Sequence, residues 1–154
     1  MKAIGSGDAN SYVLVAYSGS QGASGLVSAT RIFDDLSRRN VWYTTRRAKG
    51  LNSGCTLIFY QAGLGITGYA TVVEVSDNDR IDNEVLQNFG LYHLRFKIRL
   101  SNVIRFSVAV KLGPIVSDLD FITNKKYWGH SLRATPRSIS AADFQKILDM
   151  APHK

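Results

Sequence analysis

The apolar positions of this chain recur with two different periods, which predict strands in some segments and helices in others. Over residues 94–100 every second residue is apolar and the residues between them are basic, which is the period of a half-buried strand. Between residues 28 and 39 the apolar side chains fall three and four positions apart, and Ser28 or Thr30 can cap the first turn. That spacing predicts one amphipathic helix over residues 28–39.

Short runs of apolar, aromatic and β-branched residues predict the remaining strands. A second strand over residues 103–110 is expected to pair with residues 94–100 across a turn at Ser101 and Asn102. Ser140 followed by Asp143 resembles a capping box and predicts a C-terminal helix. The other predicted strands are Tyr12–Tyr17, residues 41–45, and a hairpin of Thr56–Gln61 with residues 66–75, while residues 18–25 are predicted to form a loop rich in glycine and serine.

The order of these elements predicts an α+β fold. Six or so strands with two or three helices do not alternate as in a doubly wound sheet, so we expect a mostly antiparallel β-barrel, closed or nearly closed, with flanking helices. A chain of 154 residues, 45% of them hydrophobic, has the size of one domain. We predict a single domain over residues 11–150, a flexible segment over residues 1–10 and a C-terminal tail over residues 151–154.

The chain has no apolar run near the roughly 20 residues that a membrane span needs, and residues 1–8 lack a signal-peptide core. These features predict a cytoplasmic protein with no membrane partner. The single cysteine, Cys55, excludes an internal disulfide framework, and three scattered histidines match no metal-ligand spacing. We therefore expect no metal and no cofactor.

Positive charge dominates this sequence and is unevenly distributed. The net charge is +7 with a pI near 9.7, and the acidic residues gather in residues 74–84. Such segregation can produce a positive face that attracts a polyanion, although hydrated surface charge is the alternative. The basic residues fall mainly in two acid-free stretches, one with Arg38, Arg39, Arg46, Arg47 and Lys49 and the other with Lys125, Lys126, Arg133 and Arg137.

The glycines at 63, 65 and 68 match the spacing of a dinucleotide-binding loop. Such a loop must open a helix, whereas the residues that follow, 69–75, favour a strand. The glycines are better explained as turn positions that adopt positive φ, or as a place where a ligand approaches the backbone.

Two tryptophans stand next to cations and hydrogen-bonding groups, at residues 42–47 and 124–128. Aromatic faces beside cations suit a flipped nucleobase, because a base stacks and its phosphate pairs with positive charge. Plain core packing is the alternative for each aromatic residue. We predict that both indoles wall one hollow, with a base-binding set of Tyr17, Ser18, Trp42, Tyr43, Thr44, Tyr60, Asn124 and Trp128 and a phosphate-binding set of Arg46, Arg47, Lys125, Lys126 and Arg133.

The order of these motifs resembles the EVE family, a branch of the PUA-like β-barrels related to the YTH domains. The residues that carry the resemblance are Trp42, Arg46-Arg47, Phe59-Tyr60, Gly65-Ile66-Thr67-Gly68 and Asn124-Lys125-Lys126-Tyr127-Trp128. The resemblance implies non-enzymatic recognition of modified cytosine or adenine, in DNA or RNA, and of the two we favour DNA. It also implies a possible fusion or association with a restriction NTPase or nuclease.

Three other functions stay open at this point. A PUA-like protein of this kind can bind modified RNA instead of DNA. A small nucleotide-processing enzyme can use Cys55 with a histidine that meets it only in the folded protein. A protein-interaction module can present the aromatic side chains as an exposed apolar patch.

Overall fold

The computed structural model describes residues 11–22, 25–46, 49–77, 94, 96–123, 125–132 and 135–151, so the predictions for residues 1–10 and for most of 151–154 lie outside the described residues. The strands are β1 (Tyr12–Tyr17), β2 (Ser20–Gly22), β3 (Gly25–Val27), β4 (Val41–Thr44), β5 (Thr56–Gln61), β6 (Gly65–Asp77), β7 (Phe96–Val110) and β8 (Arg137–Ile139). The α-helices are α1 (Ala29–Arg38) and α2 (Ala141–Met150), and two 3-10 helices span Gly113–Asp118 and Trp128–Leu132.

Six strands form one curled sheet in the order β4-β7-β6-β5-β1-β8. Four of its neighbouring pairs are antiparallel, but β1 and β5 run parallel with Tyr12 opposite Thr56 and Tyr17 opposite Gln61. Among the described residues the end strands β4 and β8 do not pair with each other. The sheet is mostly antiparallel, as predicted, while the predicted closed or nearly closed barrel is corrected to a mixed half-barrel with flanking helices, an α+β arrangement.

Two predicted connections differ from the structure. Residues 96–110 form one long strand, β7, and not two strands joined at Ser101 and Asn102. Asn102 has a φ of 51°, and the register shifts between β6 and β7 allow the strand to bend there without reversing. In the segment predicted as a loop, β2 pairs with β3 as a small separate hairpin.

Both α-helices begin where the sequence predicts. The Ser28 side chain accepts a hydrogen bond from the Arg31 backbone N–H at 3.2 Å, and the Ser140 side chain accepts one from the Asp143 N–H at 3.0 Å. These bonds satisfy backbone donors that the first helical turn leaves unpaired. The predicted caps are confirmed.

Apolar side chains pack on both faces of the sheet, because alternate residues of a strand point to opposite sides. On β1, Val13, Val15 and Tyr17 belong to an inner cluster that α1 covers, whereas Leu14 belongs to an outer cluster. The Gly113–Asp118 helix and α2 cover the outer cluster. The sheet is thus the middle of three layers.

The glycines of the β5–β6 hairpin serve strand pairing. Gly63 and Gly65 have φ values of 81° and 132°, which side chains other than glycine rarely adopt. A Cβ at Gly65 would overlap the backbone carbonyl of Val110. Close approach of β6 to β7 therefore explains Gly65, and the dinucleotide-loop interpretation is excluded because a strand follows it.

Candidate functional site

A cavity of about 250 Å³ opens on the inner face of the sheet, beside the carboxyl end of β1. We call it the Trp42 cavity. It brings together five of the eight predicted base-binding residues, namely Tyr17, Ser18, Trp42, Tyr43 and Thr44. The other lining residues are Val15, Ala16, Gly19, Ser20, Ile32, Leu36, Thr45, Leu94, Thr135 and Pro136.

Trp42 lies beneath this cavity as part of the core. Its side chain is 4% exposed, and its ring meets Tyr17 and Phe59 edge-on at centroid separations of 5.1 and 4.9 Å. Phe33 of α1 closes the same aromatic cluster. Edge-to-face packing of this kind holds each ring in one orientation. Trp42 is therefore a rigid floor, and it does not offer a free face for stacking as the sequence prediction supposed.

Tyr17 contributes its ring to the cavity, while its hydroxyl is used within the fold. The hydroxyl donates to Gln61 Oε1 at 3.1 Å and lies 2.9 Å from Thr67 Oγ1. Gln61 in turn donates through Nε2 to Thr30 Oγ1 at 3.0 Å. Burial raises the pKa of the Tyr17 phenol, and the hydrogen bond with Thr67 opposes that shift. The prediction that this hydroxyl reads a base edge is corrected.

The rim of the Trp42 cavity is held by hydrogen bonds between distant segments. Thr44 Oγ1 donates to the carbonyl of Arg46 at 2.9 Å, and Arg46 Nη2 donates to the carbonyl of Pro136 at 3.4 Å. The backbone N–H of Ala16 donates to Thr135 Oγ1 at 3.1 Å. These bonds tie residues 135–136 to β1 on one side and to the end of β4 on the other. Arg46 is exposed there, as the phosphate-binding prediction requires.

Several residues of this cavity carry no functional signal in the sequence. Ile32 and Leu36 look like an ordinary core stripe, and only the placement of α1 over the inner face brings them to the cavity. Thr135 and Pro136 lie about 90 residues after Thr44, so no local pattern connects them. Arg39, the residue directly after α1, lies three positions after Leu36 and is exposed.

Trp128 and Tyr60 lie elsewhere. They line a second cavity of about 380 Å³, the Trp128 cavity, together with Gly63, Leu64, Gly65, Lys111, Leu112, Gly113 and Pro114. Both aromatic residues pack against the outer cluster, whereas Trp42 belongs to the inner cluster. The sheet therefore separates the two indoles. The predicted hollow between two tryptophans is wrong, because Trp42 of β4 belongs to the inner cluster while the 3-10 helix that carries Trp128 packs against the outer cluster.

The predicted lysines of the Trp128 segment also differ in role. Lys125 Nζ donates to the carbonyls of Leu119 at 2.6 Å and Val116 at 3.1 Å, which ties it to the turn after the Gly113–Asp118 helix. Its predicted phosphate contact is therefore replaced by a structural one. Lys126 is exposed, and its Nζ lies 5.3 Å from the Tyr127 ring centroid. Asn124, Arg47 and Arg133 lie outside the described residues.

A buried acid anchors the residues that precede Trp128. Asp143 of α2 is fully buried, and its carboxylate accepts hydrogen bonds from the backbone N–H groups of Asp120 and Phe121, each at 2.9 Å. Lys146 Nζ donates to the carbonyl of Asp118 at 2.6 Å. Residues 118–121, which precede the segment that carries the EVE resemblance, are thus tied to α2.

The cysteine on which the enzymatic alternative depends lies in the core. Cys55 is fully buried in the inner cluster, where it packs as a small apolar side chain. No group of three or more histidine, cysteine, aspartate or glutamate side chains that could hold a metal ion occurs in the described part of the chain. Within the same part, no helix has the length and apolarity that crossing a membrane requires.

Solved structures of ASCH proteins share this architecture. A point mutant of an ASCH protein from Zymomonas mobilis has a TM-score of 0.56 at 7% sequence identity, covering 92% of this chain and 99% of that chain. An ASCH structure from the same organism has a TM-score of 0.53 at 8% identity, covering 92% and 96%. The NMR structure of Rpa0253 from Rhodopseudomonas palustris has a TM-score of 0.51 at 16% identity, covering 91% and 92%.

These likenesses establish the fold over most of the chain. No model of a known protein family matches the sequence, and no curated protein matches it either. The architecture is that of the ASCH structures, and no comparison shows the EVE family that the sequence motifs resemble. At identities of 7–16% the likeness extends to backbone arrangement and not to the residues of a site.

Proposed function

We propose that this protein is a nucleic-acid-binding module that takes one modified nucleobase into the Trp42 cavity without making or breaking a bond. The observation that carries the proposal is a small cavity with an aromatic and aliphatic floor and a hydroxyl-rich rim. At about 250 Å³ it is smaller than the roughly 300–1,000 Å³ of sites for drug-sized ligands. A single heterocycle suits that size better than a dinucleotide.

The rim supports the same ligand chemistry. Ser18 is exposed at the opening, and Thr45 lies beside it with a second hydroxyl. Such groups can pair with the edge of an extruded base, while Trp42 and Leu36 exclude water below it. Extrusion costs a few kcal/mol, which burial of the base against the apolar floor and hydrogen bonds to its edge can offset.

Charge favours a polyanion outside the cavity. Arg46 is exposed at the opening, the chain carries a net charge of +7, and no carboxylate lines the described cavity. Neutralising phosphates would release counterions and make the affinity depend on salt.

Two resemblances bear on the kind of nucleic acid, and they favour different partners. ASCH domains are PUA-like RNA-binding folds, which supports RNA as the partner. The motifs shared with EVE proteins support modified cytosine or adenine, in DNA, and an associated restriction NTPase or nuclease. For one methyl group, cavity shape supplies about 1–3 kcal/mol of discrimination.

A binding panel tests this proposal directly. Short single- and double-stranded RNA and DNA oligonucleotides, with unmodified, methylated and hydroxymethylated cytosine or methylated adenine, are titrated by fluorescence anisotropy at low and high salt. We expect salt-dependent binding to all strands that contain an accessible base and tighter binding to one modified base. Absence of binding to every member of the panel would overturn the proposal.

A blocked cavity provides the matched control. Ser18→Trp places a bulky ring at the mouth, and Ser53→Trp places the same ring at an exposed turn that lines neither cavity. We expect Ser18→Trp to lose at least about tenfold in affinity for the preferred base, or 1.4 kcal/mol, while Ser53→Trp binds like the wild type. Equal affinities of the two folded variants would place the base elsewhere.

A further inference from the structure

The Trp128 cavity differs from ordinary protein surface in its side chains. Tyr60 and Trp128 are half-buried in it, and Leu64 at its border is 43% exposed. Aromatic and large apolar side chains that remain partly open to solvent in one place are typical of a contact surface. The described fold leaves this group uncovered on one side.

The charges at this cavity select the kind of partner. Among the described residues that line it, Lys111 is the only charged one, and it is exposed. Lys126, two positions before Trp128, is exposed as well. Aromatic rings beside cations, without a lining carboxylate, suit a nucleotide, because a nucleotide offers both a π face and a phosphate. An apolar peptide with few acidic residues would leave the cations without a partner.

The two cavities lie at the same end of the sheet. Ala16 of β1 lines the Trp42 cavity, and Tyr60 of β5, which lines the Trp128 cavity, is its direct partner in the parallel pair. Neighbouring strands lie about 4.8 Å apart, so the two sites are separated by the sheet itself and not by a long stretch of surface. A nucleic-acid strand that leaves the Trp42 cavity at the carboxyl ends of β1 and β5 therefore has the Trp128 cavity at the same end of the sheet, on the opposite face.

We propose that the Trp128 cavity is a second contact site, which holds a flanking nucleotide of the same single strand whose base enters the Trp42 cavity. The flanking base packs on Trp128 and Tyr60 and its phosphate pairs with Lys111. This inference rests on the proposed function of the Trp42 cavity and adds to it a preference for single-stranded ligands longer than one nucleotide. Stacking is sequence-tolerant, so this site gives affinity and not base identity.

A ligand-length series tests the second site. The affinities of a mononucleotide, a trinucleotide and a hexanucleotide that carry the same preferred base are measured for the wild type, Trp128→Ala and Lys111→Ala. We expect the hexanucleotide to bind the wild type at least about tenfold more tightly than the mononucleotide. Each variant should lose most of this difference between hexanucleotide and mononucleotide affinity. Mononucleotide affinity should stay within twofold of the wild type.

Lys146→Ala is the matched control, because Lys146 is another outer-side lysine that lines neither cavity. It should retain the full gain with length. Ultraviolet cross-linking of a hexanucleotide with 5-bromouracil beside the preferred base should label Tyr60 or Trp128 in the wild type.

The outcomes separate the two proposals. If neither mononucleotide nor hexanucleotide binds, the proposed function itself fails. If both bind equally well, or if the hexanucleotide advantage survives in Trp128→Ala and Lys111→Ala, the second site is wrong while the first stands. The second site would also be overturned if Trp128→Ala lost the binding of a protein partner while oligonucleotide affinity did not depend on ligand length.

Discussion

The Trp42 cavity and the Trp128 cavity are built from similar residue types and differ in how the fold holds them. In the first, the indole is 4% exposed and locked between other rings, and the rim is joined by hydrogen bonds from three segments. In the second, Trp128 and Tyr60 are half-buried beside an exposed leucine. A preformed site loses little entropy on binding, so the first cavity suits selective recognition and the second suits tolerant contact.

The largest difference between the cavities should appear in stability. Trp42→Ala removes a buried ring from the inner cluster and should lower the free energy of unfolding by about 3–5 kcal/mol. Trp128→Ala removes a partly exposed ring and should cost about 1 kcal/mol. Urea unfolding of both variants measures the two losses. Equal losses would contradict the assignment of Trp42 to the floor and Trp128 to the surface.

Two glycines that both line the Trp128 cavity sharpen the comparison within it. Gly65→Ala should lower stability by about 2–3 kcal/mol, because its φ is 132° and a Cβ would overlap the Val110 carbonyl. Gly113→Ala is the control, since an added Cβ meets nothing within 4 Å, and it should stay within about 0.5 kcal/mol of the wild type. Thermal unfolding reports both. A harmless Gly65→Ala would disprove the close approach of β6 to β7.

Arg46 and Lys125 should differ in how much they contribute to the salt dependence of oligonucleotide affinity. Arg46→Ala should reduce the slope of log affinity against log salt by about 0.7–0.9, because it removes one phosphate contact. Lys125→Met should leave that slope unchanged and lower stability by about 1 kcal/mol, because two backbone carbonyls lose a donor. Oligonucleotide titrations at several salt concentrations, with urea unfolding beside them, test the pair. A reduced slope in Lys125→Met would restore its predicted phosphate contact.

The smallest expected effect is a pH dependence at the Trp42 cavity. The pKa of Tyr17 in the folded protein is raised by burial, whereas an unfolded tyrosine titrates near pH 10. The stability from the neutral phenol is therefore fully present below about pH 10 and is lost as the pH rises toward the folded pKa. Urea unfolding between pH 8 and 11 should show a shallower decline in Tyr17→Phe than in the wild type. If the free energy of unfolding declined equally with pH in both proteins, ionisation of Tyr17 would not contribute to the pH dependence of stability.

Local patterns predicted the elements well and their connections less well. The bounds of Tyr12–Tyr17 and Thr56–Gln61 and the caps Ser28 and Ser140 are confirmed, because each depends on a few consecutive residues. The turn at Asn102 was wrong, since a residue with positive φ fits a bent strand as well as a hairpin. The parallel pairing of β1 with β5 joins segments more than forty residues apart and leaves no local signal.

The sequence by itself determined which side chains stand together at a strand end. Tyr17 is the last residue of β1 and Ser18 follows it, so both reach the Trp42 cavity together. The same holds for three consecutive residues of β4, Trp42, Tyr43 and Thr44. Only the tertiary structure decided on which face of the sheet a distant aromatic residue lies. Trp128 is on the other face because its 3-10 helix packs against the outer cluster, and that packing depends on contacts summed over the whole layer and not on the residues next to the tryptophan.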